Sequence, residues 1–110
     1  MPQKNLVQQQ GDVLIYKMKA LPIGLKKLKP INGRFILAEG EATGHAHAIP
    51  FTKDMDLYEK EDGTLYMKVK APVVLSHEEH AAQTIEPGLF EIGIIREVDP
   101  FSRAVRNVAD

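Results

Sequence analysis

Cysteine and tryptophan are absent from this chain of 110 residues, and histidine occurs only four times. Without cysteine the chain forms neither a disulfide framework nor a thiolate zinc or iron–sulfur site. Imidazole, carboxylate, carbonyl and water are therefore the ligands it can offer a metal. The lack of tryptophan and the low aromatic content of 6% argue against a surface for a long polymeric substrate.

An excess of one charge and long hydrophobic runs are also missing. The 14 basic and 15 acidic residues give a formal net charge of -1, which provides no overall field toward nucleic acid or an anionic membrane. No apolar stretch approaches membrane-spanning length, and residues 1–10 lack the apolar core of a signal peptide. We expect a cytoplasmic protein that binds neither nucleic acid nor membranes, and whose partner is a small-molecule substrate.

The hydrophobic residues, 44% of the chain, come in short bursts separated by Pro, Gly, Asn-Gly or Asp-Gly. This pattern predicts a mainly β protein with one domain over residues 1–110, a small barrel or sandwich. A flexible segment is expected over 1–10. Asp99-Pro100 as N-cap and first turn, followed by apolar residues at helical spacing, predicts a short helix over 99–109. Strands are predicted at 13–18, 34–39, 45–49, 54–60, 65–70, 73–76 and 89–97.

The hairpin around Asp62-Gly63 can be predicted in register. A three-residue loop, residues 61–63, with glycine in the left-handed conformation pairs Leu57 with Met67 and Asp56 with Lys68. Apolar pairs then share one face and opposite charges the other. A two-residue loop sets apolar against polar side chains, so we predict the longer loop.

A second charged stretch, residues 21–30, carries a basic run bracketed by two prolines and a glycine. It could be interpreted as a phosphate-binding patch. It lacks the interleaved aromatic residues of a nucleic-acid surface, so we predict a solvated loop.

The histidines form two tight clusters. His45 and His47 lie in Gly44-His-Ala-His-Ala48, and side chains at i and i+2 of a strand point to the same face. The second cluster, His77-Glu-Glu-His80, follows the apolar run at 73–75, and a turn there would bring its two histidines together. Neutral imidazole is the commonest protein ligand for transition metals, so the four histidines predict a metal site, most simply for zinc, with copper or iron as alternatives.

The number of bound histidines decides the chemistry. Three imidazoles and a water make an open catalytic zinc site, whereas four imidazoles make a closed structural one. The pattern leaves open whether His77, His80 or both complete the site, and a histidine that does not bind could relay protons. Glu78 and Glu79 are candidates to orient a ligand histidine or act as general base, as is Glu41. Alternatively, each cluster is an ordinary polar feature of a strand or turn.

Several motifs resemble those of a family of small uncharacterised bacterial and phage proteins. They are Gln-Gln-Gly-Asp-Val-Leu (residues 9–14), Leu-Ala-Glu-Gly-Glu-Ala-Thr-Gly-His-Ala-His-Ala (residues 37–48), Leu-Ser-His-Glu-Glu-His-Ala (residues 75–81), Pro87-Gly88 and the closing Val-Arg-Asn-Val-Ala-Asp (residues 105–110). The resemblance covers nearly the whole chain and implies no particular function.

The chain also resembles the cupins, small β-barrels that bind one metal through a strand His-x-His, a glutamate and a later histidine. His45 and His47 would match the first pair, and His77 or His80 the later histidine. The chain departs from that pattern because no glutamate follows His47 at the usual short spacing and Pro87-Gly88 comes after the last histidine.

We therefore predict a metal-dependent lyase or hydrolase in which a metal-activated water attacks a small electrophile such as carbon dioxide or an ester. The carbonic anhydrases have a similar three-histidine zinc site, but this chain lacks the hexapeptide repeats of their β-helical class. Two alternatives stand beside this hypothesis: a non-enzymatic accessory module with a structural metal or none, and a cupin-like oxidative enzyme. A homo-oligomer is expected, in which the two clusters could meet across subunits.

Overall fold

A computed structural model of the chain describes residues 4–39, 46–98 and 105–107. Across these ranges the secondary structure is all strand, so the prediction of a mainly β protein is confirmed. No helix in the described ranges has the length and hydrophobicity needed to cross a membrane. The strands are β1 (Lys4–Gln10), β2 (Val13–Met18), β3 (Lys26–Leu28), β4 (Arg34–Glu39), β5 (Ala46–Pro50), β6 (Met55–Glu59), β7 (Leu65–Val69), β8 (Val73–Leu75), β9 (Gln83–Ile85), β10 (Gly88–Ile94), β11 (Arg96–Val98) and β12 (Val105–Asn107).

Six strands form an antiparallel sheet in the order β1-β2-β10-β7-β6-β3. Of the two predicted architectures, a barrel or a sandwich, the barrel is wrong, because β1 and β3 lie at opposite edges of this sheet and do not pair with each other. The remaining strands pair as β4 with β5, β8 with β9, and β11 with β12. Apolar residues of the β4-β5 and β8-β9 hairpins join those of the large sheet in one hydrophobic core, so burial is achieved without closing the sheet.

The core follows from the two-residue period of the strands, which puts alternate side chains on one face. Its buried members are Val13, Ile15, Phe35, Leu37, Ile49, Met55, Leu57, Met67, Val69, Val73, Leu75, Ile85, Phe90 and Ile92. A pair of backbone hydrogen bonds between Ala48 and Ser76, with N···O distances of 2.9 and 2.8 Å, ties β5 to the end of β8. This link joins the two hairpins, and His47 and the loop that carries His77 and His80 lie beside it.

The hairpin between β6 and β7 has the predicted register, with Leu57 opposite Met67 and Asp56 opposite Lys68. Gly63 has the positive φ of 93° that the three-residue loop requires. The charge pairing differs from the prediction, because the Asp56 carboxylate contacts Lys27 at 3.2 Å and Lys70 at 3.5 Å. Strand β3 places Lys27 beside β6, and that strand was not predicted.

Two expectations at the chain ends differ from the structure. Residues 4–10 of the segment expected to be flexible form β1, which pairs with β2 along its length. Amide side chains help to hold this polar strand: Gln8 Nε2 donates to the Thr84 carbonyl at 3.0 Å. In the range expected to be helical, residues 105–107 form β12 against β11, which satisfies their backbone by cross-strand pairing, and the prediction of a helix there is wrong. The other residues of 99–109 lie outside the described ranges.

Candidate metal centre

Three histidines converge where the β5–β8 link meets the turn between β1 and β2. His47 comes from β5, and His77 and His80 come from the loop between β8 and β9. One potential ligand nitrogen from each ring lies within 4.8 Å of the other two. The ring centroids are 4.3 Å apart for His47 and His77, 4.7 Å for His77 and His80, and 5.7 Å for His47 and His80.

The three nitrogens are close to the spacing of a metal site. Nitrogens bound to a tetrahedral zinc ion at about 2.1 Å are about 3.4 Å from one another, so each distance between these three nitrogens would have to shorten by at most about 1.4 Å to reach that geometry. The three histidines differ in burial: His47 is 3% exposed, His77 is partly buried and His80 is exposed. The cluster therefore opens to solvent on the His80 side.

The loop that carries His77 and His80 is anchored on both sides of His47. The Ser76 hydroxyl donates to the Ala48 carbonyl at 3.2 Å, and Glu78 Oε1 accepts a hydrogen bond from the Ala46 N–H at 3.0 Å. The neighbours of His47 in β5 thus fix the start of the loop. This explains how a cluster from residues 77–80 reaches a strand some thirty positions earlier in the chain.

A buried glutamine connects His47 to both ends of the loop that carries the other two histidines. Gln10 is 1% exposed, and its amide nitrogen donates to the Leu75 carbonyl at 3.1 Å and to the Ala81 carbonyl at 2.9 Å. These two carbonyls bracket the histidine loop. Because both amide hydrogens are used, Gln10 Oε1 is the atom that faces His47 Nδ1, at 2.8 Å.

This hydrogen bond selects one neutral form of His47. Gln10 Oε1 can only accept, so His47 Nδ1 carries the proton and the Nε2 lone pair points away from Gln10. Burial is the main cause that lowers the pKa of His47; His77 and His80 lower it further, while Asp12 opposes the shift. Neutral His47 therefore presents its Nε2 lone pair 3.6 Å from Asp12 Oδ1. Two electron-rich atoms facing each other in this way are stabilised by a positive charge close to them.

His77 is oriented differently. Its Nδ1 accepts a hydrogen bond from the Glu79 backbone N–H at 3.0 Å. If His77 bound a metal through Nδ1, the metal would replace this hydrogen bond. If it bound through Nε2, the ring proton would have to move from Nε2 to Nδ1, and the hydrogen bond would again be lost. Because Glu79 is exposed, its N–H can hydrogen bond to water instead, at a cost of about 1 kcal/mol.

Gly11 closes the cluster from the side of the β1–β2 turn. Its φ of +58° suits the first position of a two-residue hairpin loop. A Cβ added at Gly11 would lie 2.7 Å from His80 Nε2 and 3.2 Å from His47 Cε1. Only glycine combines this turn with this approach to the two rings.

We expect Gly11→Ala to weaken metal binding as well as folding. The positive φ should cost about 1–2 kcal/mol of unfolding free energy, and the methyl group should displace His80 and lower metal affinity by about tenfold or more. Denaturant unfolding of the metal-free protein and zinc titration measure the two effects. Gly24→Ala is the matched control, since Gly24 has a φ of +78° and nothing within 4 Å of an added Cβ. Equal zinc affinity in both variants would contradict the close approach.

The structure brings together three of the four histidines that the sequence singled out. His45 and Glu41 lie outside the described residues. Glu78 lies in the loop and binds the Ala46 N–H through its carboxylate, and Glu79 contributes its backbone N–H to His77. Neither hydrogen bond tests the predicted catalytic roles of Glu78, Glu79 and His80, which stay predictions.

Gln10, Gly11 and Asp12 were not predicted as site residues from the sequence. A signal was present, since Gly-Asp is a hairpin dipeptide before the predicted strand at 13–18. The dipeptide alone did not predict a hairpin, because the preceding Gln8-Gln9-Gln10 run is polar and has low β-strand propensity.

Comparison with known proteins gives a family and no activity. No curated protein and no solved structure matches the chain. A family described as "Domain of unknown function (DUF8820)" matches residues 9–95, a range that contains β2 to β10, Gln10, Asp12 and all four histidines. The chain belongs to this DUF8820 family.

Proposed function

We propose that the chain binds one zinc ion through His47, His77 and His80 and uses it to activate water toward a small electrophile. The observation that carries the proposal is the orientation of His47. Gln10 holds the ring so that the Nε2 lone pair faces Asp12, and His77 and His80 each bring one ring nitrogen within 4.8 Å of a ring nitrogen of His47. A site built only to satisfy polar groups would direct an N–H, not a lone pair, at a carboxylate.

The chemistry of a catalytic zinc site suits this arrangement. Zinc held by three protein ligands keeps a position for water and lowers the pKa of that water toward 7. The exposed side of the cluster at His80 gives a small molecule access to that position. Carbon dioxide and small esters are the electrophiles that such a site would take, which makes the activity a hydration or a hydrolysis.

Asp12 takes the role of proton acceptor in this proposal. Its side chain is 22% exposed and its Oδ1 lies 3.6 Å from His47 Nε2, so it is next to the nitrogen through which His47 would bind the ion. A carboxylate there can accept a proton from water and release it to solvent. His80 is then a ligand, and Asp12 replaces Glu78 and Glu79 as the preferred base.

The proposal is tested by zinc titration of the untagged protein in a calorimeter. We expect one equivalent to bind, and X-ray absorption of the loaded protein to show three imidazoles and one oxygen. Four imidazoles would indicate a closed structural site that includes His45. Unchanged melting with zinc, copper and iron would reject every metal hypothesis, and preferential binding of copper or iron would favour the oxidative alternative.

Catalysis is tested separately with Asp12→Asn. This variant should still bind zinc, and its rate of carbon dioxide hydration or ester hydrolysis should fall about 100-fold, as expected for the loss of a general base. A zinc-loaded wild-type protein without either activity would leave a structural metal site in a non-enzymatic module as the better explanation.

Self-association and a cytoplasmic location stay predictions. Strand β1 is an edge of the six-stranded sheet, and its Leu6 and Val7 are 53% and 45% exposed. An exposed edge strand with apolar side chains is where a second copy would add.

A further inference from the structure

A surface cavity of about 550 Å³ borders β3, β4 and β6 and contains none of the histidines. Phe35 and Met55, which are 4% and 1% exposed, contribute apolar surface to it from the core. Phe51, which is 56% exposed, adds a second ring 5.8 Å from that of Phe35 and tilted by 46°. The cavity therefore offers apolar and aromatic contacts to a bound molecule.

Charge around this cavity is positive. Its lining includes four lysines and one acid, Asp56. Burial alone would raise the pKa of Asp56, but Lys27 and Lys70 outweigh that effect and lower it. The same contacts, at 3.2 and 3.5 Å, neutralise part of the lysine charge.

The remaining two lysines are available to a ligand. Neither Lys29 nor Lys53 forms an ion pair within the part of the chain that the structure describes. The whole chain has a net charge of -1, so this excess of positive charge is local to the cavity. Part of it comes from the basic run that the sequence assigned to a solvated loop; Lys26–Leu28 of that run forms β3 instead.

We propose that this cavity binds a small organic anion with an aromatic body. The rings of Phe35 and Phe51 would contact the aromatic body, and Lys29 and Lys53 would bind the carboxylate, sulfonate or phosphate. The volume lies within the usual range of small-molecule sites, about 300–1,000 Å³, which combine apolar walls with a few polar groups. The site is separate from the metal proposal and does not depend on it.

Two fluorescent probes that share a ring system test the preference for an anion. The sulfonate 1-anilinonaphthalene-8-sulfonate should bind with one-to-one stoichiometry and about tenfold tighter than neutral N-phenyl-1-naphthylamine. Chemical-shift changes in nuclear magnetic resonance spectra should be centred on Phe35, Phe51 and Met55. Equal affinity for the two probes, or shift changes centred elsewhere, would overturn the proposal.

Variants of exposed residues distinguish this cavity from general attraction to the surface. The double variant Lys29→Glu, Lys53→Glu should lose about tenfold or more of sulfonate affinity and little affinity for the neutral probe. The control is Lys19→Glu, Lys60→Glu, which changes the net charge equally at exposed positions outside the cavity. Phe51→Ser should weaken both probes, with cooperative melting verifying that the variant is folded. An equal loss in both double variants, or no loss in Phe51→Ser, would reject the site.

Discussion

Replacing His47 with alanine should lower the zinc affinity by more than about 100-fold. Losing a group that only orients a ligand costs about 10–100-fold in metal affinity, and losing the ligand itself should cost more. His47 is the most buried of the three histidines, and its hydrogen bond with Gln10 directs its Nε2 lone pair away from Gln10. The remaining His77 and His80 lie on one loop and would hold the ion without support from the sheet. Competition with a chromophoric chelator measures the affinity.

Loss of binding has to be separated from loss of folding in this experiment. Removing the buried His47 ring leaves a cavity and an unpaired Gln10 oxygen, so the metal-free variant should also be less stable by about 2–3 kcal/mol. His80→Ala removes an exposed ring and should weaken zinc binding with little change in stability. Ala82→Ser, a change at an exposed position of the same loop that removes neither a ligand nor an anchoring hydrogen bond, should keep zinc affinity within about threefold. Retained full affinity in His47→Ala would show that the ligand assignment is wrong.

Strand periodicity was enough to predict part of this site. Residues 45–49 were expected to form a strand, and β5 covers Ala46–Pro50. The hairpin register was predictable for the same reason, because the side chains at 55–59 and 65–69 match in only one pairing. Local patterns of this kind determine the directions of side chains on regular strands.

The convergence of the site was not predictable from local patterns. The contacts of Gln10 with Leu75 and Ala81 span 65 and 71 positions in sequence, and the link between Ala48 and Ser76 spans 28. A polar strand such as β1 carries no hydrophobic period, since its stability comes from pairing with β2 and from amide hydrogen bonds. Gly11 and Asp12 reach the site through the turn between these two strands, and the sequence alone does not predict that turn.

Gln10→Leu should both destabilise the protein and weaken zinc binding, because one side chain holds the loop and orients His47. The variant leaves the Leu75 and Ala81 carbonyls and the His47 Nδ1–H without their partner, which should lower the unfolding free energy by about 2–4 kcal/mol. Zinc affinity should fall about 10–100-fold, as for other groups that orient a ligand histidine. Gln9→Leu is the matched control, since Gln9 is exposed and its amide nitrogen donates to the Gly11 carbonyl rather than to the histidine loop.

A spectroscopic measurement distinguishes orientation of His47 from simple structural support. In the metal-free wild-type protein the imidazole ¹⁵N shifts of His47 should report a proton on Nδ1 and none on Nε2, because Gln10 Oε1 accepts at 2.8 Å. In Gln10→Leu the Nε2–H form should become populated, whereas Gln9→Leu should match the wild type. If the proton of wild-type His47 resides on Nε2, the ring directs a donor at Asp12, 3.6 Å away, and the lone pair that the metal proposal depends on does not exist.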